Sequence, residues 1–278
     1  MNIAIDLGGT SVRAALVEDG AVSTIISEPC LADRSEKEVL DQICSLIDRL
    51  FGPDVRAIGI GVPSVVDVEK GIVYDVVGIP SWKEVHLKKA LEDRYGVPAH
   101  VDNDCNCFAL GVSRHGEAAG LQSAVCVTLG TGVGGSLVLD GKIYRGHNTG
   151  AGEIGCIRYL DRDFEYYCSS RFFVGHGTTG KDAAEKASAG DVKMLELWKE
   201  FGRHVGQLVM MIVYAYDPEI IVFGGSISTA WELFEASMRD EMAKCIYPNS
   251  ISRLKVCPSG RLDMNILGAS SLCDAHSF

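Results

Sequence analysis

The 278-residue chain lacks any excess of positive charge: 26 Lys and Arg stand against 37 Asp and Glu, a formal net charge of −11. No basic run breaks that acidity. A groove for a phosphodiester backbone needs a concentrated cationic surface, so a nucleic-acid partner is not expected. There is no apolar window long enough to cross a bilayer, and Met1 to Leu7 enter a strand-like pattern without the basic and apolar segments of a signal peptide. A soluble cytoplasmic protein with no membrane partner is expected. Ten cysteines are present, yet apart from Cys105 and Cys107 they are widely scattered. They form neither the CxxC pairs of a zinc site nor the dense spacing of a small secreted domain, so reduced and mostly buried thiols are expected. Also missing are a low-complexity linker, a P-loop ending in Lys-Ser/Thr and a complete GxGxxG turn.

What is present is ordinary for a globular protein, with 47% apolar and 23% charged residues, and the length suits two domains packed together. Asn2 to Asp6 reads as a strand, and Ser11 to Val17 with Ala21 to Ile26 as a hairpin around Asp19-Gly20. Ser35 and Glu38 form a capping-box pattern ahead of Val39, Leu40, Ile43, Leu46, Ile47, Leu50 and Phe51 at helical spacing. A strand over Val55–Val62, a helix over Val85–Tyr95, a strand over Ala99–Val101 and a helix over Asp104–Gly116 follow. Ser123 to Leu129 then repeats the opening pattern of strand, Gly/Thr turn and hairpin, this time through Asp140-Gly141. Two related domains are expected. A long helix over Asp191–Tyr216, a strand over Ile220–Phe223 and a helix over Ala230–Lys244 complete the pattern.

Three glycine turns stand out: Gly8-Gly9-Thr10, Gly130-Thr131-Gly132 and Gly224-Gly225. Glycine lets backbone N–H groups approach an anion with no Cβ in the way, and such a nest can hold phosphate. A tight turn that merely needs positive φ is the plainer reading of each, and positive φ is expected at Gly130 and Gly132. Asp6, beside the first turn, would set a carboxylate near phosphate and metal, or else cap its own loop. Asp104, on the residues alone, is either a base near a phosphate cradle or a helix N-terminal carboxylate facing the dipole.

The motifs together resemble those of the ROK family of sugar kinases and repressors, within the actin, Hsp70 and hexokinase superfamily. Asp6-Leu7-Gly8-Gly9-Thr10 is similar to its first phosphate motif, and Val101-Asp102-Asn103-Asp104-Cys105-Asn106 to its catalytic motif. Leu129-Gly130-Thr131-Gly132-Val133-Gly134-Gly135 is similar to its second phosphate motif, and Ala151-Gly152-Glu153-Ile154-Gly155 to its sugar motif. Pro218 to Gly225 looks like its adenosine strand and turn. The order holds over nearly the whole chain, through Leu267-Gly268-Ala269-Ser270.

The resemblance implies two actin-like (ribonuclease H-like) α/β domains with mixed central sheets and a nucleotide cleft. The first would cover 1–104, completed by a C-terminal helix at 266–278, and the second 105–265. It implies phosphoryl transfer from Mg-ATP to a hydroxyl of a hexose or N-acyl amino sugar. Asp104 would be the general base; Asn103, Glu153 as a buried carboxylate, Glu165 and the Gly78 region would hold the sugar. Asp6, Gly8, Gly9, Thr10, Gly130, Thr131, Gly132, Gly224 and Gly225 would hold ATP, with Asp6 reaching magnesium indirectly. A homodimer is implied as well. Three departures are plain. Cys156 stands where the family has a sugar-binding His, and the CxCGxxGC cluster that holds structural zinc is missing, so no zinc is expected. Gly78 stands where Asn is common. The alternatives are a non-catalytic sugar or nucleotide sensor descended from such a kinase, and a repressor. With five residues ahead of Asp6 a helix-turn-helix does not fit, so direct DNA binding is not expected.

Overall fold

The computed structural model describes residues 1–274. In chain order its strands are β1 (Asn2–Leu7), β2 (Ser11–Glu18), β3 (Ala21–Pro29), β4 (Ala57–Val62), β5 (Val65–Asp67), β6 (Ile72–Tyr74), β7 (Glu84–Val85), β8 (Ala99–Asn103), β9 (Ala124–Leu129), β10 (Val133–Leu139), β11 (Lys142–Tyr144), β12 (Arg158–Tyr159), β13 (Arg162–Asp163), β14 (Ile220–Gly224) and β15 (Lys255–Pro258). The helices are α1 (Glu36–Asp48), α2 (Leu87–Tyr95), α3 (Asp104–His115), α4 (Phe164–Tyr167), α5 (Ser170–Gly175), α6 (Gly180–Ser188), α7 (Val192–Tyr216), α8 (Trp231–Met242), α9 (Pro248–Arg253) and α10 (Met264–Ser271). The chain divides into one unit of 1–120, 141–151 and 261–278 and another of 121–140 and 152–260. The boundary expected from the sequence lies at 104 instead, and the expected C-terminal helix of 266–278 runs past the described residues.

The first unit is built on a sheet of order β3-β2-β1-β4-β8. The meander β1-β2-β3 is antiparallel, while β4 runs parallel to β1 and β8 parallel to β4. β4 is buried on both faces, as a central parallel strand must be. α1 starts where its capping box predicts. The Ser35 hydroxyl accepts from the Glu38 N–H, the Glu38 carboxylate accepts from the Ser35 N–H, and Val39, Ile43, Leu46 and Ile47 go into the core. Between Ser64 and Glu84 the sequence suggests no element, yet β5, β6 and β7 form a small antiparallel sheet; Val85, expected to open a helix, ends β7, and α2 starts at Leu87.

α3 belongs to this unit because of α10. A Cβ on Gly268 would lie 1.7 Å from the Cys107 carbonyl oxygen, and one on Gly111 would lie 2.1 Å from that of Met264. The two helices therefore touch backbone to backbone, which only glycine at the crossing allows.

The second unit holds β10-β9-β14-β15 of the second sheet, with β10 antiparallel to β9 and the other two parallel to it. Its pattern matches that of β2-β1-β4-β8, so the repeat seen in the sequence is a repeat of topology. An aromatic cluster fills its core. Phe173 lies 4.6 Å from Trp198 and 5.1 Å from Phe201 between ring centroids, and Phe234 packs against both Trp198 and Phe201. Of the ten free thiols only Cys156 is exposed. Among the described residues no helix is long and apolar enough to cross a membrane.

Candidate active site

In the first unit three parallel strands end along one edge. Register pairs Asp6 with Gly61, Gly61 with Asp102, and Val62 with Asn103, so the first turn and the start of α3 lie two strand spacings apart, about 10 Å. Carboxyl ends of parallel strands are where open α/β sheets bind ligands. Asp6 is held by Arg13, its cross-strand partner on β2, whose Nε and Nη2 donate to Oδ2 at 3.1 and 2.6 Å. Both contacts fall on Oδ2, which leaves Oδ1 as the oxygen suited to a hydrated Mg²⁺. Gly78, placed by the loop after β6, sits against the first turn: a Cβ there would lie 3.4 Å from the Gly9 Cα.

Asn103 is the N-cap of α3. Its Oδ1 accepts from the N–H groups of Cys105 at 2.8 Å and Asn106 at 3.2 Å, and its Nδ2 donates to the Ser64 carbonyl at 3.1 Å. Both lone pairs are thereby used, so Asn103 has one amide N–H to offer a sugar hydroxyl. Asp104 follows, half-buried, with Oδ1 accepting from the Cys105 N–H at 2.8 Å. Burial, and then the neighbouring Asp6 carboxylate, push its carboxyl up to about 7. A base poised near neutrality is what proton abstraction from a hydroxyl asks for.

In the second unit the turn after β9 is held from one side by the start of α5. The Ser170 N–H donates to the Gly130 carbonyl at 2.8 Å, and its hydroxyl to the Thr131 carbonyl at 3.4 Å. A trans peptide points the carbonyl of one residue and the N–H of the next in opposite directions, and no cis peptide occurs among the described residues. The N–H groups of Thr131 and Gly132 therefore both point away from Ser170, an arrangement that could hold an anion.

The reason for glycine here differs from the one expected. Gly130 and Gly132 do not have positive φ, and neither do Gly8, Gly9 and Gly224; only Gly225 does, at 85°. A Cβ on Gly225 would also lie 2.4 Å from the Leu129 carbonyl oxygen, which brings the third turn hard against the end of β9. At Gly132 the neighbour is Glu165, whose Oε2 would lie 2.5 Å from a Cβ. That carboxylate also accepts from the Val133 N–H at 3.4 Å and pairs with Arg171 at 2.9 Å. Glu165 is thus brought to the second turn. Glu153, expected to be buried, is exposed, because Gly152-Glu153 enters a short 3-10 turn over Ile154–Cys156 that buries Ile154 and Gly155 instead. The Cys156 thiol stands 3.9 Å from its Oε2.

A family model described as ROK family matches residues 2–275. The chain belongs to the ROK family. A glucokinase from Thermotoga maritima is 28% identical over 97% of this chain and 96% of its own length, and an N-acetyl-D-glucosamine kinase from Pasteurella multocida is 28% identical over 94% and 95%. The crystal structure of a ROK family glucokinase from Streptomyces griseus in complex with glucose and AMPPNP is 26% identical, with a TM-score of 0.86 over 98% of both chains. A ROK family transcriptional regulator, homologous to an E. coli protein, shares the fold with a TM-score of 0.87 at 22% identity, covering 97% of this chain and 76% of its own. The fold of this ROK protein is the actin-like α/β one that its motifs imply.

The chain after Cys156 is organised by rings. Tyr159 stacks on Phe164 at 4.5 Å, and its hydroxyl lies 3.1 Å from His204 Nδ1. Among the described residues no cluster of three or more His, Cys, Asp or Glu side chains could hold a metal ion.

The second turn can be tested cleanly at Gly130. A Cβ there meets only the Ser226 hydroxyl at 3.8 Å, so Gly130→Val is expected to fold normally and to raise the ATP KM by about tenfold or more through crowding of the nest. Unchanged Mg-ATP affinity in the folded variant would remove this turn from phosphate binding. Gly132→Val is the poorer probe because it strikes Glu165 first.

Proposed function

We propose that this ROK protein transfers the γ-phosphoryl group of ATP to a hydroxyl of a hexose or N-acyl amino sugar, with Asp104 as the general base. That it is an ATP-dependent sugar kinase follows from its family and its relatives. The observation that best supports the assignment of the base is the Asp104 carboxyl, pushed up to about 7 at the strand edge that also carries Asp6 and the first turn.

With Oδ1 engaged by the helix, Asp104 Oδ2 is the oxygen that takes the proton of the attacking hydroxyl. The new bond forms from that hydroxyl oxygen to the γ-phosphorus, the bond to the bridging oxygen breaks, and ADP leaves with the electron pair. Such transfers depend on positioning and on neutralising charge. Asp6 would hold the magnesium of the nucleotide through water, and that ion would supply part of the neutralisation. The Thr131 and Gly132 N–H groups face phosphate oxygens, while Asn103, Glu153 and Glu165 orient the sugar.

Coupled ADP release measured against glucose, N-acetylglucosamine and other free sugars tests the proposal. Sugar binding without ADP release for any of them would reduce the protein to a sensor. Glu153→Gln is expected to weaken sugar binding by about 10- to 100-fold, the range for a hydrogen bond to a charged group, with ATP affinity unchanged. Calorimetric titration that finds equal sugar affinity in the two proteins would take Glu153 out of the sugar site.

A further inference from the structure

Asp102 is 1% exposed and ionisable. Four donors converge on its carboxylate. Arg145 Nε and Nη2 reach Oδ2 at 2.9 and 2.6 Å, while Asn106 Nδ2 and the Asn103 backbone N–H reach Oδ1 at 2.8 and 2.7 Å. The arginine comes from a loop of the same unit that closes on itself, with the Ala151 N–H donating to the Arg145 carbonyl at 3.2 Å and with Gly146 and Thr149 at positive φ.

A buried ion pair is a poor way to hold a helix end if adhesion is all that is needed, since apolar side chains of similar volume do this without desolvating two charges. What the pair adds is direction. A guanidinium fork fixes the plane of the carboxylate it binds, and this carboxylate in turn grips the backbone of Asn103 and the side chain of Asn106. Asp104 lies between those two anchor points. We propose that Arg145 is a positioning residue for phosphoryl transfer, acting through Asp102 to aim Asn103 and Asp104 at the sugar. This rests on Asp104 being the base.

Arg145 also lines a cavity of about 1000 Å³ in this unit, together with Val65, Tyr74, Lys88 and His147. A small cation entering from solvent can therefore reach the space that its side chain would vacate.

The experiment uses the full-length protein with Mg-ATP and its best sugar. Arg145→Ala is expected to lower kcat/KM for sugar by about 10- to 100-fold, mostly in kcat, the scale of a small misplacement of reacting groups. The ATP KM should stay within about twofold. Millimolar guanidinium should restore several-fold of the loss where equal sodium chloride restores none, and Arg145→Lys, which keeps the charge without the fork, should recover activity in part. A folded Arg145→Ala protein with full sugar turnover overturns the proposal. So does a loss that merely follows the folded fraction and does not respond to guanidinium.

Should Arg145→Ala fail to fold because Asp102 is left unpaired, the double variant Asp102→Asn, Arg145→Met removes both charges. It is expected to show the same kinetic loss, and full activity in it is equally fatal. Wild-type turnover and Asp104→Asn separate this from the assignment of the base: a dead Asp104→Asn beside a fully active Arg145→Ala sinks only the role of Arg145. An active Asp104→Asn sinks the base itself.

Discussion

Asp104→Asn is expected to lower kcat by about 10²- to 10⁴-fold, the usual cost of removing a general base, while sugar affinity stays within a few-fold. The amide keeps the shape of the side chain and an oxygen for the Cys105 N–H, and it loses only the ability to take a proton. In the wild type, kcat/KM should rise with pH through about 7, falling roughly tenfold per unit on the acid side, because only the ionised carboxyl acts as base. The same shift has a thermodynamic sign. The folded pKa, about 7, lies above the ordinary value of 3.8, so between those two pH values the folded state binds more protons than the unfolded one. Stability contributed by the protonated form is present below about 4 and is lost as pH rises through 7. Asp104→Asn should therefore raise the melting temperature relative to wild type more at pH 8 than at pH 5. Near-normal turnover in this variant, or a pH profile with no limb near 7, would remove Asp104 from the proposed role.

The largest structural effect is expected at Gly268. Its missing side chain is what lets α10 lie against α3, and a Cβ 1.7 Å from the Cys107 carbonyl oxygen must push the helices apart. Overpacking against side chains typically costs about 1–3 kcal/mol. Here the obstacle is backbone, so Gly268→Ala should cost about 3 kcal/mol or more, roughly 6–12 °C in melting temperature for a protein of this size. Because the first turn of α3 carries Asp104, kcat should fall with it even at temperatures where the variant is folded. Gly52→Ala is the matched control, since a Cβ there meets nothing within 4 Å and its φ is not positive. Equal denaturant midpoints for the two variants would show that the helices do not pack this closely in solution.

The strand ends and their motifs were legible in the sequence because each is local: an apolar run, then glycine or a carboxylate. α1, α3 and α7 follow from caps and helical spacing for the same reason, and α7 starts at Val192 behind the Asp191 cap. β5 to β7 were not legible. Strands of two or three residues carry too little alternation to be distinguished from loop, and they exist because the chain after β4 pairs with its own return. Positive φ at Gly130 and Gly132 was the wrong inference because glycine answers two needs, handedness and closeness, and sequence does not say which; here Glu165, 33 residues from Gly132, supplies the second. Arg13 could have been found. The turn between β1 and β2 sets the hairpin register, and counting outward from Gly8 and Ser11 brings Arg13 opposite Asp6. Arg145 could not, since its partner lies 43 residues away and no periodicity connects them.

The docking of α10 also bears on how the protein is made. The first unit draws on residues from 261 onward, so until the ribosome has added them, Gly111 and Cys107 on α3 lack the surface they are shaped to meet. Unit 2, complete by Gly260, can close first. The helix that bears Asp104 gains its final support only once Met264–Ser271 have been made, which makes the nascent first unit the part that needs protection from aggregation.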